Sequence, residues 1–382
     1  MANSDKISSI AQVPDDRTSV HNNVLRASKD RNFVSMIVKQ IDALRFSVFK
    51  SQILEFIKNN GLSELTFALL NPLRFLFWFL RRKENDVADF YRFVTEYVKL
   101  ATGTNSLNFG YWEEGNDLVQ AQKNICIITG RFGNLDTAKK VIDLGSGLSD
   151  PAIQWSSKYQ SIDKIVCVDV NYYGLRKAKK NICNYLKTLN YKTSVVDHAK
   201  ILSMVNATAT CIPFPDDFAD RIVALESAQH FKPFAQFVAE SYRVLKSQGL
   251  LILAIPVLTL NDKSRSTNIN IKFLRELRSL GVLSLTWASE HYELSDIRSV
   301  ILKQNFKIRD IDFIGPSVYD PLADYYSQNR KVFQKILTER YRSYWQKIIF
   351  YFVERIVYHS ALKMKACSEK GIIDYVLIKA ER

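Results

Sequence analysis

The chain is poor in cysteine. Its five cysteines (Cys126, Cys167, Cys183, Cys211 and Cys367) are odd in number, scattered over 382 residues and never spaced as a CxxC pair. That argues against a secreted disulfide scaffold and against a zinc module, and makes a reducing cytosol the expected compartment. No apolar run approaches the ~20 residues that a membrane-spanning helix needs. Met1 to Val20 hold no apolar core of a secretory leader. Internal repeats and low-complexity tracts are missing, and so is any His/Asp cluster at metal-ligand spacing. Acids are scarce beside bases, 39 against 53, which leaves a net charge of +14.

The basic excess is dispersed. Residues 171–192 carry Arg176, Lys177, Lys179, Lys180, Lys187 and Lys192 with no acid, and residues 321–382 carry twelve bases and six acids. A basic face can meet nucleic acid or an anionic membrane. At helical spacing, a solvated helix surface is the preferred reading. With no RRM-like aromatic signature or zinc finger, nucleic acid is not an expected partner. Hydrophobic residues reach 47% and aromatics 12%, enough for a sizeable core.

Residues 1–30 read as a flexible tail, with Pro14, Asp15 and Asp16 in a polar setting. Residues 31–105 read as an N-terminal helical extension or lid, with Phe33, Met36, Ile37, Ile41 and Leu44 opening an amphipathic pattern. Its most apolar stretch, LTFALLNPLRFLFWFL at 65–80, precedes Arg81-Arg82-Lys83. Buried packing is the preferred reading there; an interfacial helix or a pocket wall stays open. A helix is expected over Asp86–Leu100. From about residue 139 the texture changes to short β-rich runs: Val141–Leu144, Ile165–Val170, Arg221–Leu225, Leu250–Pro256, Phe306–Ile314 and Ile372–Lys379. Helical patterns separate the first four, which means βαβ units and a parallel sheet. A helical insert rich in aromatics is expected at about 315–370, before the last strand.

The central motif is VIDLGSG at 141–147, a strand ending in a glycine turn into a helix. Gly145 and Gly147 allow tight turning and close backbone approach to a ligand, and the helix N-terminus offers free amides. Asp169 ends the next strand, 24 residues after Gly145. A carboxylate there can accept both hydroxyls of a ribose. A dinucleotide turn would read GxGxxG; here Asp150 holds the third position. An acid is unwelcome beside a pyrophosphate and tolerable beside a cation.

The run from Lys140 to Pro256 resembles the class I S-adenosylmethionine-dependent methyltransferases, in their small-molecule branch. VIDLGSG, VCVDV (166–170), ATCIPFPDDFADRIVALESAQHF (209–231) and YRVLKSQGLLILAIP (242–256) follow in that family's order, with LNFGYWEEG (107–115) upstream. The branch acts on polyketides, sugars, isoprenoids and sterols. The resemblance implies an α/β fold: a Rossmann-like, doubly wound, seven-stranded sheet. To it are added the N-terminal helical extension and the helical insert before the last strand, with 106–382 as the methyltransferase domain.

It also implies S-adenosyl-L-methionine as cofactor. Asp143, Gly145, Ser146 and Gly147 would hold the methionine end, and Asp169 the ribose, with Val170 and Asn171 beside the adenine. Thr208, in place of the usual Asp, would meet the adenine amino group together with the Ala209 backbone. Ser149 replaces a further family glycine. Tyr111 and Trp112 would fold over the cofactor carboxylate, or serve only as core aromatics. Glu226 would face the methionine moiety and the acceptor. His230 would take the acceptor's hydroxyl proton, with His291 and Tyr292 as second candidates; an imidazole near pKa ~6.5 suits that task.

A small, lipophilic acceptor and transfer to oxygen are the leading expectation. Carbon methylation of an isoprenoid, sterol or quinone stays open, with Glu226 then steadying a cation. So does a non-catalytic, partner-binding methyltransferase-like subunit; an NAD(P)-dependent oxidoreductase is disfavoured. The aromatic flanks suit an acceptor pocket, a homodimer interface or a core. The basic clusters would suit peripheral membrane contact by a cytoplasmic protein.

Overall fold

The computed structural model describes Ala88, Tyr91, Thr104 and residues 106–115, 117–188, 201–259, 292–340 and 344–382. All belong to the compact unit Phe77–Arg382. The tail expected over 1–30 and the apolar stretch 65–80 lie outside the described residues, as does nearly all of the expected extension.

Seven strands form one sheet in the order β3-β2-β1-β4-β5-β7-β6. They are β1 (Lys140–Leu144), β2 (Lys164–Asp169), β3 (Leu202–Asn206), β4 (Ala219–Leu225), β5 (Leu245–Leu258), β6 (Lys307–Phe313) and β7 (Ile373–Glu381). β1 to β5 run parallel, whereas β7 is antiparallel to both β5 and β6. The winding reverses at β1, which pairs β2 on one side and β4 on the other. Ligands of open α/β sheets sit at such a switch point, beyond the carboxyl ends of the strands.

The central strands read as continuous apolar runs because both faces are covered. Ile142, Leu144, Val166, Val168, Ile222 and Leu253 pack on one face. That face is closed by Phe237 of α4 (Phe234–Val244) and Ile297 and Ile301 of α5 (Leu294–Lys303). The intervening Val141, Ile165, Cys167, Val223 and Ile252 point the other way, as the two-residue period of a strand requires. They meet Trp155 of α2 (Asp150–Lys158). Trp155 and Phe237 are fully buried, and such burial contributes ~1.5–3 kcal/mol for a large side chain. Trp155 also satisfies its indole by donating to the Cys126 carbonyl at 2.8 Å.

The strand pattern anticipated from the sequence omits β3. Its residues, LSMVN, are only half-buried at an edge of the sheet, so they lack the solid apolar run of β1 or β2. β5 is longer than expected, starting at Leu245 and passing an exposed stretch at Gln248, which sits at φ 64°.

α1 (Leu118–Phe132) starts at Asp117, whose carboxylate caps the Gln120 N–H at 2.7 Å. α3 (Tyr172–Thr188) follows β2. Between β6 and β7 the chain forms α6 (Gly315–Arg340) and α7 (Tyr344–Glu369). Their ion pairs, Arg330 to Glu354 and Lys365 to Asp324, both 2.8 Å, set the two helices antiparallel. The Arg330 guanidinium also lies 3.9 Å over the Tyr358 ring. Among the described residues, no helix is long and apolar enough to cross a membrane.

Candidate active site

A cleft opens at the carboxyl ends of β1, β2 and β4. Its floor is the turn after β1. Gly145 stands at φ 71°, and a Cβ there would lie 2.3 Å from the Ser227 Cβ, so only glycine fits. Gly147, at φ 55°, has nothing within 4 Å of the place a Cβ would take; the open space is the cleft itself. Ser149 adopts φ 61° just before α2, in the left-handed region that favours glycine. Asp169 fastens this turn to β2: its Oδ2 accepts from the Gly147 N–H at 2.8 Å and its Oδ1 from the Asn171 N–H at 2.7 Å.

Asp143, on β1, is buried, and its Oδ2 has no hydrogen-bond partner among the described residues. Burial, reinforced by the Asp169 charge, pushes its carboxyl up to about 8. Glu226 follows β4 at φ 50°. Burial raises its carboxyl to about 8 as well, against the opposing bonds that its Oε1 accepts from the Phe109 N–H, 2.9 Å, and the Tyr375 hydroxyl, 3.1 Å. His230 closes a short 3-10 turn, Ala228–His230. Its Nε2 shares a hydrogen bond of 2.8 Å with the Tyr91 hydroxyl, and the two rings meet edge to face at 5.3 Å. Burial, then the Glu226 and Asp169 charges, push the Tyr91 phenol up, so it stays neutral.

A strap at 104–112 covers one side. The buried Gln122 of α1 holds it: Gln122 Oε1 accepts from the Thr104 hydroxyl at 2.7 Å, and its Nε2 donates to the carbonyls of Ser106 and Asn108. The Ser106 hydroxyl donates to Asp150 at 3.2 Å.

Of the residues singled out from the sequence, Asp143, Gly145, Ser146, Gly147, Asp169, Val170, Ala209, Glu226 and His230 line this one cleft. Thr208 is not among the lining residues, whereas Ala207 and Ala209 are; Thr208 lies past the end of β3, where the chain enters a turn closed by the Cys211 N–H on the Thr208 carbonyl. Its hydroxyl bonds instead with Thr210, at 2.8 Å. Tyr111 also does not line the cleft. Its backbone N–H donates to the Ala121 carbonyl, and its ring packs in the apolar cluster with Tyr319 and Tyr375. Trp112 is a core residue there, its indole donating to the Phe109 carbonyl at 3.0 Å. Tyr292 packs on Phe234, outside the cleft. His291 lies outside the described residues.

Sequence reasoning missed Tyr91, Ser106 and Asn108 as lining residues. Tyr91 is 139 positions from His230, and no local pattern announces such a pair. The cleft's charge was also unannounced. Among the described lining residues stand four acids, Asp143, Asp150, Asp169 and Glu226, and no Lys or Arg, in a chain of net charge +14.

Residues 142–253 match the family model for a methyltransferase domain. The chain contains a methyltransferase domain. The erythromycin 3''-O-methyltransferase of Saccharopolyspora erythraea is 27% identical to it over 148 residues, 38% of this chain and 44% of that protein. The ubiquinone/menaquinone biosynthesis C-methyltransferase UbiE of Francisella philomiragia is 31% identical over 114 residues, 30% of this chain and 41% of that protein. The chain thus matches less than half the length of these two relatives. Among solved structures, the mycolic acid cyclopropane synthase CmaA1, complexed with SAH and CTAB, aligns with a TM-score of 0.57 at 15% identity. The alignment covers 75% of this chain and 94% of that one, and shows that the methyltransferase domain shares its fold.

Proposed function

We propose that the cleft binds S-adenosylmethionine and that the protein transfers the methyl group to a hydroxyl oxygen of a small, lipophilic acceptor. The observation that carries this reading is the acid lining. Four acids stand there without a described Lys or Arg to meet a pyrophosphate, and Asp143 and Glu226, raised to about 8, ionise most readily beside a cation, so the lining suits a cationic ligand. The open cradle over Gly147 and the unpartnered Asp143 Oδ2 fit the methionine end of the cofactor. Asp169 would hold the ribose, with Val170 and Ala209 beside the adenine. Apolar lining from Leu107, Leu148, Val168, Leu225 and Phe231 suits a lipophilic partner.

Bound there, the cofactor supplies an electrophilic methyl group. The protein's own contribution is alignment and a base. His230 Nε2 already accepts or donates a hydrogen bond to a hydroxyl, that of Tyr91, at 2.8 Å. An acceptor hydroxyl taking the same place would lose its proton to that nitrogen.

Carbon methylation is the second reading. It is favoured by the likeness to UbiE, named a C-methyltransferase, and by Glu226, a carboxyl able to steady a cation at the same edge of the cleft.

Calorimetric titration with S-adenosylhomocysteine, on wild type and on Asp169→Ala, tests the proposal. Micromolar binding that collapses in the variant is the expected result, followed by an acceptor screen with His230→Ala as control. No binding by the wild type refutes the enzyme reading and favours a partner-binding subunit.

A further inference from the structure

Among the described residues, the Glu226 carboxyl is held from one side. Both of its hydrogen bonds, from the Phe109 N–H and the Tyr375 hydroxyl, fall on Oε1, and the carboxyl lines the cleft. Its backbone is fixed by an N–H bond to the Ala254 carbonyl at 2.8 Å. Tyr375 comes from β7, 149 positions away, and is fully buried. Its own backbone is locked: it lies opposite Pro256 of β5, its carbonyl accepts from Ile314, and its N–H donates to Asp374 Oδ1 at 2.8 Å. The buried phenol is thus carried on a strand whose place the sheet sets.

We infer that Tyr375 is a positioning residue: with the Phe109 amide it clamps one oxygen of Glu226, so that the other reads the positive charge of the bound sulfonium cofactor. The pair thereby sets the preference of the site for the charged cofactor over its neutral thioether product. This rests on the cofactor assignment proposed above. A carboxylate at a low-dielectric wall attracts a cation strongly and a neutral thioether hardly at all. A site that reads charge weakens its hold on the ligand once the methyl group, and the charge with it, has left.

Glu226 enters this exchange carrying a proton near neutral pH, since burial raises its carboxyl to about 8. Cation binding must expel that proton; binding of the neutral product need not. The groups facing Glu226 are the phenols of Tyr91, Tyr319 and Tyr375 and the Cys126 thiol, all shifted up by burial and so neutral, together with Asp143 and His230 of the cleft wall. Asp143, raised to about 8 like Glu226, faces the methionine end that both ligands carry, so its proton release is common to the two.

The test is the ratio of affinities for S-adenosylmethionine and S-adenosylhomocysteine, measured by calorimetry on the full chain. Glu226→Gln is expected to weaken the charged ligand by about tenfold and the neutral one by less than about threefold. Tyr375→Phe keeps the ring and should shift the ratio the same way by about threefold. In wild type the ratio should rise in favour of the charged ligand from pH 6 to 8.5, with more protons released on binding that ligand than on binding the thioether; this arm needs no variant to fold. Equal weakening of both ligands, or a wild-type ratio flat with pH, overturns the inference and leaves the cofactor assignment standing. Binding of neither ligand by wild type overturns both.

Discussion

Replacing Asp143 by asparagine should change how stability responds to pH, and the size of the change follows from burial. In the fold the Asp143 carboxyl titrates at about 8, against 3.8 when free in solution. The sign is that of an acid whose folded value is raised. Below about pH 4 the group is protonated in both states and costs nothing. As pH rises towards 8, the unfolded chain gains by ionising while the fold does not, so stability falls. Each pH unit in that window costs ~1.4 kcal/mol, or about 4 kcal/mol between pH 4 and pH 7. Asparagine cannot ionise and removes this slope. The variant should therefore gain roughly 4 kcal/mol on wild type across those three pH units, whatever its own packing costs. Groups that do not interact with Asp143 cancel in the comparison. At ~2.1 cal/mol/K per residue, a unit of this size shifts its Tm by about 1.5–2 °C per kcal/mol. The melting curves of the two proteins should thus diverge by roughly 6–8 °C over the window. The assay is thermal unfolding of the ligand-free protein at several pH values. Parallel profiles, with a constant gap between wild type and variant, would refute the claim that Asp143 is held protonated by burial.

The two glycines of the turn should separate folding from binding. Gly145→Ala drives a Cβ into Ser227 and is expected to cost about 2–4 kcal/mol in denaturant unfolding. Gly147→Ala meets open space, costs only about 1 kcal/mol for its backbone conformation, and should nonetheless abolish binding of S-adenosylhomocysteine by filling the cradle; intact binding would show that the ligand lies elsewhere. His230→Ala should leave cofactor affinity within about threefold and lower turnover by about 10²–10⁴ once an acceptor is found. Gln122→Ala removes three bonds to the strap; hydrogen exchange should quicken at Ser106 to Asn108 and not in α2, and equal protection in both proteins would sink the idea that Gln122 holds the strap.

How far the sequence could be read depended on burial and on distance along the chain. β1, β2, β4 and the body of β5 were legible because strands covered on both faces leave solid apolar runs. β3 was not, since an edge strand of half-buried LSMVN looks like a loop. The GxG turn and Asp169 could be placed because their spacing is local. Thr208 illustrates the limit of reading by alignment: it sits at a turn past the end of β3, where its hydroxyl bonds Thr210, and no motif prints which way a turn residue faces. The pairs Tyr91–His230 and Glu226–Tyr375 join residues 139 and 149 positions apart. Only the folded sheet brings them together, and with them the acid lining of a basic protein.

The hairpin of α6 and α7 enters and leaves the sheet at nearly one point. Its first residue, Gly315, donates its N–H to Asp374 Oδ1 at 2.9 Å, and Ile314 bonds the Tyr375 carbonyl. Some 58 residues thus depart from and return to a single clasp at the antiparallel end of the sheet. The cofactor turn sits on β1 and β2, whose register owes nothing to the hairpin's length. Such a layout lets helices be lengthened, shortened or exchanged over evolutionary time while the turn stays as it is. None of the described residues that line the cleft belongs to this arm, so a change in the arm leaves the described lining as it is.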